Sequence, residues 1–290
     1  MDKDINTIQD ILSRKNLSVD AKKRLSKDLI AISQRLDKDE YETSGIVENI
    51  FDVPDKAKQF YVHMATYAEI GKSWSRIFKK LPINNFEVVD ICPGYAPKIE
   101  LGLLYSDFKG KVIILDKDSR AVSSLRRFMS LFNPKFSIEL CVYDLFLDQG
   151  RKFNFVVGNH TLDDLILCYF ANKEGISLLD LYEKEGEFIK MWNNILINPQ
   201  RNCKEITTKL TYIFTSLIEH GGYLCLSQYK SYMEKMLGLD NSFTFSKKVF
   251  DHLVKNLCLA DFDRIDLLYD KTQKENNHFT DKEVVVLKKK

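Results

Sequence analysis

The stretch Phe86-Glu87-Val88-Val89-Asp90-Ile91-Cys92-Pro93-Gly94-Tyr95-Ala96-Pro97-Lys98 passes from an apolar run, through an acid, into a Pro-Gly turn. The amphipathic segment Lys98–Leu104 follows directly, so the pattern predicts strand, tight turn, helix. A second apolar run, Val112–Leu115, ends in Asp116, and a helical stretch from Ser119 to Leu131 follows it. Strand–helix–strand–helix with an acid closing each strand is the start of an open α/β sheet. Ligands of such sheets sit outside the carboxyl ends of the strands, where the strand order reverses.

A nucleoside ligand suits this arrangement. Gly94 lets the backbone approach a ligand with no Cβ in the way. A carboxylate at Asp116, closing the second strand, can accept hydrogen bonds from two ribose hydroxyls. Asp144, in Val142-Tyr143-Asp144-Leu145, falls at or just after the third strand, within reach of an adenine amino group. Acid then glycine turn, acid ending strand two, acid near strand three: in this order the residues resemble the class I S-adenosylmethionine-dependent methyltransferases. The resemblance spans roughly residues 84–290. The family's first motif usually reads acid-x-Gly-x-Gly-x-Gly, and here its glycine places hold Cys92, Gly94 and Ala96. The Gly-x-Gly-x-x-Gly fingerprint of the dinucleotide-binding oxidoreductases is absent.

The resemblance implies an α/β fold with a seven-stranded, mostly parallel sheet and an antiparallel C-terminal strand. It implies S-adenosyl-L-methionine as cofactor. The residues it places beside the cofactor are Asp90, Gly94, Tyr95, Asp116, Lys117, Asp144, Leu145 and Asn159. Asp116 is expected on the ribose, and Asp90 either orients the turn or meets the cofactor amino group through water.

With 290 residues, the chain is long enough for one large domain and a smaller appendage. Its net charge of +2 makes no demand for nucleic acid. The apolar runs are all too short for a membrane span, and Met1-Asp2-Lys3-Asp4 does not open a signal peptide. The six cysteines include no Cys-x-x-Cys pair and mostly lie in apolar runs, so reduced, buried thiols and a cytoplasmic location are expected, without a zinc site.

Residues 1–82 are expected to be helical and to cap the α/β domain at 83–290. Ala21, Leu25, Leu29, Ile32 and Leu36 form one helical stripe, with Lys22, Lys23, Arg24 and Lys27 opposite. A third stretch carries Trp74, Phe78 and Leu81 in phase and stops at Pro82. The lysine face reads as solvated, with an RNA or anionic-substrate role as the alternative.

The fourth strand, Phe153–Gly158, runs into Asn159-His160-Thr161-Leu162-Asp163-Asp164. In the family this loop lines the place where the methyl group meets its acceptor. It lacks the prolines of the Asn-Pro-Pro-Tyr motif of nucleobase amino methylases. An unperturbed imidazole changes charge near working pH, so His160 is a candidate base; the competing role is that Asn159, His160 and Asp163 cap the next helix. Asp163 and Asp164 are adjacent acids at a helix start, so they point apart and suit the helix dipole better than a magnesium ion; no metal is expected.

Residues 166–220 form a helical insertion before strand five, expected to help cover the site. His220-Gly221-Gly222 is expected to turn into strand five, Tyr223–Ser227, with Gln228, Tyr229 and Lys230 at its carboxyl end. A helix over 243–258 precedes two terminal strands, Phe262–Tyr269 and Glu283–Lys288, joined by a polar loop. Two strands joined by a loop pair antiparallel, which is the tail that separates the methyltransferase fold from the dehydrogenase fold.

The activity implied is methyl transfer to a small molecule or short peptide in an enclosed pocket, with His160, Asp163 and Tyr229 on the acceptor side. The alternatives are transfer of the aminocarboxypropyl group of the same cofactor, an RNA acceptor, and a non-catalytic binding protein on this fold. No membrane partner is expected, and the oligomeric state is open.

Overall fold

The computed structural model describes residues 67, 70–94, 96–130, 134–147, 150–177, 181, 185–230, 234, 238–267, 280 and 282–290. Tyr95, Tyr182, the Lys22–Lys27 helix face and most of the 270–281 loop lie outside the described residues.

Seven strands form one sheet in the order β3-β2-β1-β4-β5-β7-β6. They are β1 (Val88–Ile91), β2 (Lys111–Asp116), β3 (Ser137–Val142), β4 (Phe153–Asn159), β5 (Ile218–Ser227), β6 (Phe262–Arg264) and β7 (Val284–Lys289). The first five pair in parallel. β7 inserts between β5 and β6 and is antiparallel to both. The helices are residues 70–78 (α1), Lys98–Tyr105 (α2), Ser119–Ser130 (α3), Leu162–Glu174 (α4), Glu185–Ile197 (α5), Pro199–Leu217 (α6) and Asp240–Ala260 (α7).

Both sheet faces are covered, which is why β1 and β2 are continuous apolar runs and not alternating ones. Val88, Val112, Ile114, Phe155 and Val157 pack with Trp74 and Phe78 of α1, Ile99 of α2 and Leu125 of α3. Val89, Ile113, Val156, Leu224 and Leu287 face the other way, toward α4, α6 and α7. α1 is therefore a layer of the α/β body. Its crossing with α2 is close enough to require glycine on both helices: a Cβ on Gly71 would stand 2.8 Å from Leu101 Cβ, and one on Gly102 would stand 2.8 Å from Trp74 Cβ.

Three sequence expectations change. His220-Gly221-Gly222 is not a turn before strand five but part of it. β5 starts at Ile218 opposite Phe153, and the register then jumps to Tyr223 opposite Phe155, with Gly221 at φ +76 in the irregular stretch. Glycine serves there as a bulge and not as a turn. Strand six is short, ending at Arg264, because residues beyond Ile265 leave the pairing with β7. Finally, α5 and α6 are not a loose cover: α5 packs against α4, α6 and α7, and α6 against α7 and β5. Their apolar residues (Met191, Trp192, Ile206, Leu210) belong to the core.

Between β1 and β4 the strand order reverses. The chain leaves β1 toward one face, through α2, and leaves β4 toward the other, through α4. Their carboxyl ends bound the crevice expected of an open α/β sheet.

Candidate active site at the carboxyl ends of the strands

On the β1–β2 side the turn Cys92-Pro93-Gly94 sits above a group of acids. Gly94 has φ +60, and a Cβ placed on it would meet nothing within 4 Å, so the turn borders open space. Asp116 ties the turn down: its Oδ2 accepts the Gly94 N–H at 2.9 Å and its Oδ1 accepts the Asp118 N–H at 2.8 Å. Burial pushes the Asp116 carboxyl up to about 6, although both N–H groups pull the other way. Each carboxylate oxygen has two lone pairs, so two hydroxyls of a ligand can still be accepted.

Cys92 stands where the family motif has its first glycine, and it keeps a glycine-like backbone, φ 49. A left-handed backbone at a residue with a Cβ costs about 1–2 kcal/mol. The Cys92 N–H donates to Leu115 O at 2.8 Å and holds that geometry. Burial, then Asp116 and Asp164, drive its thiol well above the usual range, so it is a neutral thiol.

Beneath the turn, Asp90 and Glu100 are 1% and 0% exposed and lie against each other, with no other side chain among the described residues donating to their oxygens. Burial, and then the Glu100 carboxyl beside it, lifts Asp90 well above its ordinary value. Burial lifts Glu100 to about 7. Two carboxyl groups this close share a proton. Lys98, at the first position of α2, lies with its ammonium 5.6 Å from the Tyr67 ring centre, and burial lowers its basicity.

Asp144 lies just beyond β3. Its Oδ1 accepts the Phe146 N–H at 2.9 Å, and its Oδ2 is 2.9 Å from Lys117 Nζ. Lys117 also reaches Asn172 Oδ1 of α4 at 3.2 Å. Leu145 is buried in the core.

On the β4–β5 side the polar groups bind one another. Asn159, 7% exposed, accepts from Trp74 Nε1 at 2.8 Å and Ser227 Oγ at 3.2 Å, and donates from Nδ2 to Tyr229 Oη at 3.0 Å. It joins α1, β4 and β5. His160 has φ 57, held by its own N–H bond to Ser227 O at 2.9 Å. Its ring stacks on Tyr229 with centres 4.9 Å apart. His160 Nε2 lies 3.0 Å from Asp163 Oδ2 and 3.7 Å from Glu234 Oε2. Gln228 Nε2 donates to the other Asp163 oxygen at 3.1 Å. Burial alone would raise Asp163, but the His160 ring and the side-chain hydrogen bonds around the carboxyl together hold it below its ordinary value. Asp164 points the other way, and burial, then Asp163 and Asp116, push it up to about 8.

The structure thus brings the sequence-predicted residues to two clusters. Asp90, Gly94 and Asp116 share the first; Asn159, His160, Asp163 and Tyr229 share the second; Lys117 and Asp144 pair with each other at the rim. Three of them make contacts that the sequence reading did not name. The turn is tied by Asp116, not by Asp90, whose oxygens face Glu100. Asn159 is committed to Trp74, Ser227 and Tyr229. Asp144 is engaged by Lys117. Sequence reasoning missed Glu100, Lys98, Trp74 and Glu234 as site residues. Glu100 carried a signal: it is an acid on an otherwise apolar face, Ile99–Leu104.

No family model and no curated protein matches the chain. Among solved structures, similar chains include magnesium protoporphyrin IX methyltransferase from Synechocystis with bound SAH (11% identity, 81% of this chain and 86% of that one, TM-score 0.43). A second is an S-adenosylmethionine-dependent methyltransferase from Clostridium acetobutylicum (14%, 75% and 91%, TM-score 0.41). A third is the fibrillarin pre-rRNA processing protein of Methanococcus jannaschii (12%, 74% and 72%, TM-score 0.40). Likenesses of this order decide neither chemistry nor acceptor. The sheet itself, ordered β3-β2-β1-β4-β5-β7-β6 with β7 antiparallel, is that of the class I methyltransferase fold.

Proposed function

We propose that the protein is an S-adenosylmethionine-dependent methyltransferase with its cofactor at the β1–β2 side and its acceptor at the β4–β5 side. The observation that carries this reading is the open Gly94 turn tied to Asp116 beside the buried acids Asp90 and Glu100. These residues fit the group. A ligand bearing a sulfonium and an ammonium would supply the positive charge that the acids lack, and its ribose would use the lone pairs left on Asp116.

When bound, the cofactor supplies a methyl group already activated on sulfur. What remains for the chain is orientation and proton handling. Asp116 and the Gly94 turn fix one end. Asp90 and Glu100, buried beneath the turn, would hold negative charge near the cofactor's ammonium. His160, Asp163 and Glu234 form a polar group across the crevice, and the proton lost by an alkylated acceptor heteroatom would pass to it. Tyr229, stacked on His160 and bonded to Asn159, holds the ring in place.

A small acceptor fits better than a nucleic acid. The side chains of His160, Asp163 and Glu234 are only 12%, 13% and 8% exposed, so the acceptor group must be slim. Asp163, held ionised, would also repel phosphates.

Calorimetric titration with S-adenosylmethionine and S-adenosylhomocysteine tests the cofactor half. Saturable binding of both is expected, weakened at least about tenfold in Asp116→Ala, where one hydrogen-bonding carboxylate is gone. Folded wild-type protein that binds neither, with or without candidate acceptors, sinks the reading. Release of S-adenosylhomocysteine on turnover supports methyl transfer; release of methylthioadenosine assigns aminocarboxypropyl transfer instead.

A further inference from the structure

We infer that His160, Asp163 and Glu234 form a binding site for one divalent cation of the manganese–iron–zinc type. The ligand-type atoms of these residues lie within 4.8 Å of one another. The two printed separations from His160 Nε2 are 3.0 Å to Asp163 Oδ2 and 3.7 Å to Glu234 Oε2. Ligands about 2.0–2.2 Å from a common metal ion stand about 3–3.5 Å apart, so a small closure of Glu234 brings all three into range.

Charge points the same way. Two carboxylates and one imidazole, each almost withdrawn from water, make a donor set whose burial a cation would offset. A dication does so with the imidazole neutral, the form in which histidine ligates. The donor set of one nitrogen and two oxygens matches manganese, iron and zinc better than thiolate-seeking ions.

The surroundings support the ligands as well. Gln228, 0% exposed, donates its amide to the Asp163 oxygen that does not face His160, the kind of outer bond that orients a ligating carboxylate. The backbone of Gln228 is held by β7 through the bond from its N–H to Glu283 O at 2.8 Å. Tyr229 stacks on the His160 ring and limits its rotation. Three protein ligands leave coordination positions open, and an oxygen of the acceptor is the group that suits such a position. The sequence gives no hint of this site, since Glu234 lies beyond β5 while His160 and Asp163 follow β4.

The inference stands on this cluster and is independent of what fills the β1–β2 side. The test uses the full chain, stripped with a chelator, and Mn²⁺ followed by electron paramagnetic resonance. One bound Mn²⁺ per chain is expected, with nitrogen modulation from one imidazole in the spin-echo signal. Zn²⁺ should displace it, as its place in the affinity order requires. His160→Gln and Glu234→Gln should each weaken binding roughly 100-fold, whereas Glu187→Gln, on an exposed part of α5, should not change it. If neither Mn²⁺ nor Zn²⁺ binds, or if Mn²⁺ binds without nitrogen modulation, the site is refuted. Binding unaffected by both ligand variants refutes it too. The spin-echo readout on wild type needs no variant to fold.

Discussion

The two halves of the crevice are built on opposite plans. At the ends of β1 and β2 the acids are left short of partners: among the described residues the buried Asp90 and Glu100 side chains have only each other, and Gly94 faces open space. At the ends of β4 and β5 the polar side chains clasp each other, with Asn159 alone joining Trp74, Ser227 and Tyr229. The first half costs stability until something arrives. The second contributes stability and offers a prepared surface. A protein that must bind a charged ligand in one half and present a reacting group in the other needs both plans side by side.

The sharpest way to break this contrast is Asn159→Ala. It removes the bonds that Asn159 makes to the Trp74 indole N–H, the Ser227 hydroxyl and the Tyr229 hydroxyl. Each buried hydrogen bond lost costs about 1–1.5 kcal/mol, so a loss of roughly 3–5 kcal/mol is expected in urea unfolding. A loss below about 1 kcal/mol would mean that the β4–β5 network does not carry the stability assigned to it.

Next in size is the pH dependence of the β1–β2 half. Glu100 ordinarily titrates at 4.5, and burial lifts it to about 7 in the folded chain. Its contribution is greatest below its unfolded value and is lost as pH rises through about 7; Asp116, lifted to about 6, behaves alike at lower pH. The ligand-free protein should therefore lose stability between about pH 5 and pH 8. Glu100→Gln should reduce that loss by about 1–3 kcal/mol, measured as unfolding free energy against pH. A slope unchanged by the substitution would show that Glu100 is not the strained group.

The smallest effect on stability, and the one that sharpens the functional contrast, is Gly94→Ala. No atom obstructs the new Cβ, so only the left-handed backbone is penalised, about 1 kcal/mol. Because that Cβ enters the open space, cofactor affinity should fall at least about tenfold. His160→Gln, in the other half, should leave cofactor affinity within about twofold. Equal losses in both variants would erase the division of the crevice.

The succession of strands and helices was legible from Phe86 onward because β1 and β2 are apolar on both faces and the long helices α6 and α7 keep an apolar stripe. The acids closing β1 and β2 were legible for the same reason: a carboxylate at the end of an apolar run stands out. Gly221-Gly222 misled, since a pair of glycines marks a turn and a bulge equally well. Asn159 was read as a ligand neighbour because its place in the loop is visible in sequence, while its partners, Trp74, Ser227 and Tyr229, lie far along the chain on either side. Glu234 could not be found at all, as nothing local distinguishes it.

By itself the sequence determined the fold class, the position of the crevice and the glycine turn, since these follow from periodicity and from residues that are neighbours along the chain. Only the tertiary structure decided which acid ties the turn, which acids share a proton and which side chains meet His160. Those outcomes depend on strands β2, β1, β4 and β5 being brought edge to edge, and on how strongly burial there alters the charge of each group that it encloses.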